Sequence, residues 1–178
     1  REGKLKHKGY LIKIVDLPGT YSLSSYSLEE IIARDFIISE NPDVIINVVD
    51  AGNLDRNLLL TTQLIDMRAK VVMALNMYDE AEAKGLNINT DILADLLGMD
   101  VVSTIAVKSV GIDKLLDAVI DVSLTKSPVS RHIHINYGRD IENEIKIIQN
   151  AIRSNEQIVQ KFSTRWLAMR LLEADGDA

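Results

Sequence analysis

The stretch Asp43-Val44-Ile45-Ile46-Asn47-Val48-Val49-Asp50 decides the fold. It is a nearly continuous apolar run flanked by Pro42 and Gly52, which reads as a strand buried on both faces. Such a strand needs helices over it, and helical spacing follows at 54–68. The pattern then repeats: a strand at 70–76, helical material at 90–97 closed by Gly98, a strand at 101–104 and a helix at 112–124. Alternation of this kind predicts an α/β fold with a largely parallel sheet and right-handed crossovers. Upstream, 4–16 predicts two short strands joined at Gly9 as an antiparallel hairpin. A loop rich in Pro, Gly, Ser and Thr follows at 16–27, before a helix at 28–39.

Past residue 124 the composition changes. Lys126-Ser127-Pro128-Val129-Ser130 reads as a connection, and three helical segments follow Gly138. Ile141, Ile145, Ile148 and Ile152 share one helical face, Ile158, Val159 and Phe162 form a second apolar patch, and 166–171 continues into a third amphipathic segment. The expected division is a sheet-containing domain at 1–124 and a linker with a small all-α subdomain at 125–178.

Composition sets the outer limits. With 178 residues and 47% hydrophobic content the chain can bury a real core. The absence of cysteine removes disulfides, thiolate metal sites and cysteine nucleophiles together. A net charge of −6 without a basic run argues against a primary role on nucleic acid. Every fully apolar stretch is far shorter than the ~20 residues a membrane helix requires, so the segment is expected to be soluble, without inserting into a membrane.

In doubly wound sheets ligands sit at the carboxyl ends of strands, and three such ends carry a signal. At Asp16-Leu17-Pro18-Gly19 a carboxylate ends a strand, able to hold Mg²⁺ through water, and Gly19 lets a backbone N–H approach a terminal phosphate. The plainer reading is a strand followed by a turn. At Asn76-Met77-Tyr78-Asp79 the Asp79 carboxylate can accept from N1–H and the exocyclic amine of guanine, donors that adenine does not offer there. Its plainer reading is a helix N-cap at Asn76 or Asp79. The third end, Ile105-Ala106-Val107-Lys108, can aim a backbone N–H at guanine O6, or can be a simple strand-to-helix connection.

Taken in order and spacing, these pieces resemble a P-loop GTPase of the translation-factor-related class. Val15-Asp16-Leu17-Pro18-Gly19-Thr20-Tyr21-Ser22-Leu23 with Tyr26-Ser27-Leu28-Glu29-Glu30, Val49-Asp50-Ala51 with Asn53-Leu54, and Leu75-Asn76-Met77-Tyr78-Asp79 are similar to the FeoB family of ferrous-iron transporters in particular. Tyr137-Gly138 and the segment from Arg165-Trp166-Leu167 to Leu172-Glu173 resemble the helical domain that follows the GTPase domain in that family.

The resemblance implies a guanine-nucleotide switch regulating iron uptake, with GTP or GDP and Mg²⁺ as ligands and the protein's own transmembrane iron-transport domain as partner, at the cytoplasmic face of the inner membrane. By it, Asp16, Leu17, Pro18, Gly19 and Thr20 form the second switch, Asn76 and Asp79 read guanine, and Ala106 and Val107 form the base-contacting loop. Two departures stand out. Thr20 occupies the place of the water-orienting glutamine of Ras-like proteins, which implies slow hydrolysis. No Gly-x-x-x-x-Gly-Lys-[Ser/Thr] occurs in the 178 residues, so the chain is expected to be a piece lacking its phosphate loop and first switch, inactive alone.

Two other functions share these signals. One is a ribosome-associated GTPase, against which the acidic end Asp175-Gly176-Asp177 argues, because an RNA-binding appendage should be basic. The other is a protein-interaction remnant that binds no nucleotide. His132 and His134 fall on one side of an extended segment, where they offer a metal pair or, more simply, a solvated strand face.

Overall fold

The computed structural model describes residues 1–24 and 26–173; the acidic end at 175–177 lies outside them. An antiparallel hairpin opens the chain, β1 (Glu2–His7) and β2 (Tyr10–Val15), paired from Glu2↔Val15 to His7↔Tyr10. Its turn residues Lys8 and Gly9 both have positive φ, 45° and 84°, the geometry whose twist matches that of the flanking strands. The tip is fastened by Asp117, which accepts from Lys8 Nζ at 2.7 Å and pairs with His7 Nε2 at 2.8 Å.

After the loop comes α1 (Leu28–Glu40), started by a reciprocal capping box between Ser27 and Glu30. The Glu30 carboxylate also accepts from the Ser22 and Ser24 hydroxyls, so the loop's second half is tied to the first turn of this helix. Then follow β3 (Ile45–Asp50), a 3-10 turn at Ala51–Asn53, α2 (Leu54–Asp66), β4 (Val71–Asn76), α3 (Tyr78–Ala83), α4 (Thr90–Leu97), β5 (Asp100–Ser103), a second 3-10 turn at Ala106–Lys108, and α5 (Ile112–Ser123).

The strands β3, β4 and β5 form one parallel sheet in that order, and the hairpin is a separate two-stranded sheet. The central strand is β4, whose Val71–Leu75 are all 3% exposed or less. Its alternate residues serve two cores: Val71, Met73 and Leu75 pack with Leu64 and Ile65 of α2, while Val72 and Ala74 pack with Leu115 and Val122 of α5. Each large aliphatic side chain so buried stabilises the fold by about 1.5–3 kcal/mol. Double-sided burial is complete on β4 and partial on β3, where the sequence places it: Val49 packs in the first core and Ile46 against the second, while Val48 is 62% exposed. Among the described residues β3 pairs with one strand, β4. An apolar run identifies a strand, but what packs above and below it decides how far each face is covered.

Residues 125–138 form an extended strap with no assigned strand, in which Ile133 and Ile135 point into the main core and Tyr137 into the next. That next core is built by α6 (Arg139–Ile152), α7 (Glu156–Lys161) and α8 (Thr164–Leu172). Ile145 is fully buried with Trp166, Leu167 and Ala168, and Phe162 stacks on Trp166 at 6.1 Å. Ile38 and Met67 from the sheet-containing part join the same cluster. The expected isoleucine face holds at Ile145, Ile148 and Ile152, whereas Ile141 is 44% exposed at the helix start. Val159 is likewise 42% exposed, so the second patch reduces to Ile158 and Phe162.

Candidate functional site

Because β4 and β5 run parallel, their carboxyl ends open on one rim, and the chain emerging from each meets the other there. Asn76 is the last residue of β4. Its Oδ1 accepts from the Ala106 N–H at 3.0 Å and from Thr104 Oγ1 at 3.3 Å, while the Thr104 N–H donates to the Leu75 carbonyl at 2.8 Å. One side-chain amide therefore fixes the loop after β5 onto the end of β4.

Met77 turns the chain with φ 56° and ψ 32°, so that α3 starts one residue later without any side-chain cap. Neither Asn76 nor Asp79 caps this helix, which sets aside the plainer explanation for both. Asp79 lies in the first turn of α3 and faces the same loop. Its Oδ2 accepts from Lys108 Nζ at 2.6 Å, with the two side chains 32% and 61% exposed. The hydrogen-bonded ammonium holds the Asp79 carboxyl below its ordinary range.

The loop that brings Ala106 and Lys108 to the rim is a built structure. Ile105 and Val110 pair across it, Ser109 has a φ of 54°, and Gly111 follows at φ 82°. A Cβ on Gly111 would stand 2.3 Å from the Ser103 carbonyl oxygen, so both the backbone angle and the space demand glycine here. Val107, at the crest of the turn, is 94% exposed.

The other sequence-selected residues lie in the loop that leaves the hairpin sheet. Asp16 follows β2, its backbone exchanging bonds with Arg1 at 2.7 and 2.9 Å, and its carboxylate is exposed with no hydrogen-bond partner among the described residues. Leu17 packs into the main core. Pro18 and Gly19 are exposed, and nothing lies within 4 Å of where a Cβ on Gly19 would stand. The Thr20 hydroxyl donates to the Ser22 carbonyl at 2.6 Å. Two contacts connect this loop to α2: the Leu23 N–H donates to Gln63 Oε1 at 2.7 Å, and the Arg56 guanidinium lies 3.8 Å above the Tyr21 ring.

Sequence reasoning missed Thr104 and Lys108, both now seen to act on the selected residues. It also missed the buried cluster that joins α2 to the helical region. Arg165 Nε donates to Asp66 Oδ1 at 3.0 Å, and its terminal nitrogens reach both Glu142 oxygens at 2.8 and 2.9 Å and the Ile135 carbonyl. Tyr137 donates its hydroxyl to Asp66 Oδ2 at 2.6 Å, and the Ser163 hydroxyl donates to the Asp66 carbonyl at 2.6 Å. The guanidinium holds the Glu142 carboxyl down to about 2, and burial pushes the Tyr137 hydroxyl up.

His132 and His134 do project to one side of the strap, their rings edge to face at 5.0 Å. Among the described residues no third His, Cys, Asp or Glu joins them in a metal-binding group. Burial lowers the His132 pKa. Among the described residues, too, no helix is long and apolar enough to cross a membrane.

Comparison with known proteins agrees with this architecture. The family model described as ferrous iron transport protein B matches residues 1–119, and the FeoB cytosolic helical domain model matches residues 137–178. An Fe(2+) transport protein A/Fe(2+) transporter FeoB fusion protein of Porphyromonas gingivalis is 41% identical over 178 residues, 99% of this chain and 21% of that protein. The chain thus spans about a fifth to a quarter of the length of the curated relatives it matches. Crystal structures of the cytosolic domain of the T. maritima FeoB iron transporter superpose with TM-scores of 0.90 in a GDP form and 0.86 in a GMPPNP form. Both are 33% identical, and each match covers 98% of this chain and 67% or 68% of the crystallised one. With two family models side by side along one continuous fold, the chain belongs to the ferrous iron transport protein B family.

Proposed function

We propose that this chain is the guanine-nucleotide-binding switch portion of a ferrous-iron transporter, residues 1–124 forming the GTPase domain and 125–178 the linker and helical subdomain. The observation that carries this reading is the joint between Asn76, Ala106 and Asp79 at the rim of the parallel sheet. Asn76 holds the loop whose backbone would face guanine O6, and Asp79 stands in the adjoining helical turn with its carboxylate on the same side. Guanine offers that carboxylate two donors, whereas adenine would leave it unpaired. The related T. maritima domain in GDP and GMPPNP forms supports guanine nucleotide as the ligand class.

Asp16 and Gly19 have the character of a phosphate-sensing switch. An exposed, acceptor-only carboxylate without a partner among the described residues fits a hard cation held through water, so Asp16 is the residue assigned to Mg²⁺. The ion would supply neutralisation of phosphate charge. Neither a positive φ nor a packed neighbour requires glycine at position 19, which fits an approach by a terminal phosphate instead. The Thr20 hydroxyl is already committed to Ser22, so it is poorly placed to orient water, and slow hydrolysis is the consequence. Binding of GTP orders the loop at 16–27 and hydrolysis releases it.

A phosphate-binding loop is the missing component: no such motif exists in the 178 residues, and among the described residues β2 and β3 each have a single strand neighbour. We assign the loop to sequence preceding this segment in the intact protein, and iron transport to a membrane domain outside it. Fluorescent GDP and GTP titrations of this chain, and of one extended upstream by about 50 residues on the domain-size expectation, test the assignment. Tight binding by the extended chain alone is the expected result. No binding by either overturns the switch reading in favour of a protein-interaction remnant.

A further inference from the structure

The base-reading carboxylate is not idle in this structure. Lys108 Nζ sits 2.6 Å from Asp79 Oδ2, one of the two oxygens a guanine edge would use. We propose that Lys108 gates the base subsite: it pairs with Asp79 when no nucleotide is present, and an incoming guanine displaces it. This inference rests on the reading of Asp79 given above and adds a competitor that the reading does not contain.

Three observations support a gate rather than a permanent strut. First, the bond pattern is exclusive. Guanine presents N1–H and its exocyclic amine to the two oxygens of one carboxylate, and an ammonium on Oδ2 competes for one of those two oxygens. Second, release requires no rebuilding. The loop at 105–111 is held by the Ile105–Val110 pairing, by Ala106 on Asn76 and by the tight fit of Gly111, so its backbone stays in place while the flexible lysine stem swings out. Lys108 is 61% exposed on its side chain, and such rotations take picoseconds to nanoseconds. Third, the pair is weak by position. Exposed ion pairs contribute little and are screened by salt, so Lys108 competes with a base without excluding it.

The gate also gives the subsite a resting state. With an ammonium seated on it, the Asp79 carboxylate is held against the loop at 105–111, ready for the exchange of one set of donors for another.

The test uses the upstream-extended chain, fluorescent GDP and fluorescent XDP, and four variants: Lys108→Met, Lys108→Arg, Asp79→Asn and the double variant Asp79→Asn/Lys108→Met. At low salt Lys108→Met is expected to tighten GDP binding by about 3-fold, the scale of one exposed pair, and the gain should vanish near 1 M salt. Lys108→Arg retains a cation and should stay near the parent affinity. In the Asp79→Asn background, which favours XDP, Lys108→Met should change nothing, since no carboxylate remains to be covered. Weaker or unchanged GDP binding by Lys108→Met at low salt overturns the gate while leaving the base assignment intact. If Asp79→Asn keeps full GDP preference, the base assignment and the gate fall together.

Discussion

Two aspartates in this molecule are each paired with a cation, and they could hardly be used more differently. Asp79 meets Lys108 on an open rim, with 32% and 61% of the side chains exposed. Asp66 meets Arg165 inside the joint between α2 and the helical region, where only 4% and 6% remain exposed. The first carboxylate has a single side-chain partner on a rotatable stem. The second is held by a planar guanidinium, a tyrosine hydroxyl and, on its own backbone carbonyl, a serine hydroxyl. The lesson is that burial and the number of partners, not the Asp–cation chemistry itself, separate an exchangeable contact from a structural one. An exposed pair can be traded for a ligand; a buried one cannot lose a member without leaving an uncompensated charge.

The sharpest way to break this comparison is at Asp79. Asp79→Asn in the nucleotide-competent protein should shift the ratio of GDP to XDP affinity by on the order of 10⁴-fold, with no change in the urea midpoint. Competitive nucleotide titration and a denaturation curve on the same sample check both halves. An altered midpoint with unaltered nucleotide choice would invert the assignment of the two pairs.

Next in size is Arg165→Met, which strands Asp66 and Glu142 together. A loss of about 3–5 kcal/mol is expected for breaking a buried pair, read by urea unfolding of this chain. Replacing both partners, as Asp66→Leu with Arg165→Met, should recover part of that loss, because the more deeply buried charge of Asp66 is removed while Glu142 stays without its guanidinium. If the single and double variants are equally unstable, packing rather than charge governs the joint.

Gly111→Ala probes the support beneath the exposed pair. The added methyl meets the Ser103 carbonyl at 2.3 Å in a left-handed backbone conformation, so a cost of about 1–3 kcal/mol is expected. Amide exchange should rise across 105–110 first, since that segment is what the fit holds. Unchanged exchange there would show that the Asn76 bond alone positions the loop.

The smallest expected effect comes from acid. Glu142 has its carboxyl lowered from 4.5 to about 2 in the folded chain. A depressed folded value means that its stabilising contribution is complete above about 4.5 and is lost as pH falls through 2. Urea midpoints measured across that window should drop with acid in the parent chain, and should drop less in Glu142→Gln. Equal slopes in the two proteins would remove Glu142 from the joint's electrostatics.

Short-range signals made much of this molecule legible in its sequence. The helix at 90–97 ends at Gly98 because glycine takes the left-handed angle the cap needs, and the structure places both ends where the sequence does. The hairpin around Gly9 follows from the same kind of local chemistry. Legibility fails where the answer depends on a distant neighbour. The run at 43–50 announces a strand, yet nothing within it tells that, among the described residues, β3 pairs on one side and β4 on both. The sequence offers the short helix α3 only through an N-cap at Asn76 or Asp79, because the residue that introduces it is a methionine in a left-handed turn, which carries no compositional mark. Asn76 and Asp79 were selected from four consecutive residues, whereas their partners Thr104, Ala106 and Lys108 arrive from a strand and loop 28 to 30 positions away. Arg165 and Asp66 are separated by 99 positions, so their meeting is a property of the whole fold.

The helix α2 touches both the loop after Asp16 and the buried joint within a single turn. Gln63 holds the backbone of Leu23 in the loop after Asp16, and Asp66, three residues on, holds Arg165. Three residues advance a helix by about 4.5 Å, and a hydrogen bond fails when stretched by well under 1 Å beyond its usual range. Two attachments so close together therefore limit how far the helix can slide or twist while both survive, as two bolts through one shaft hold it against turning.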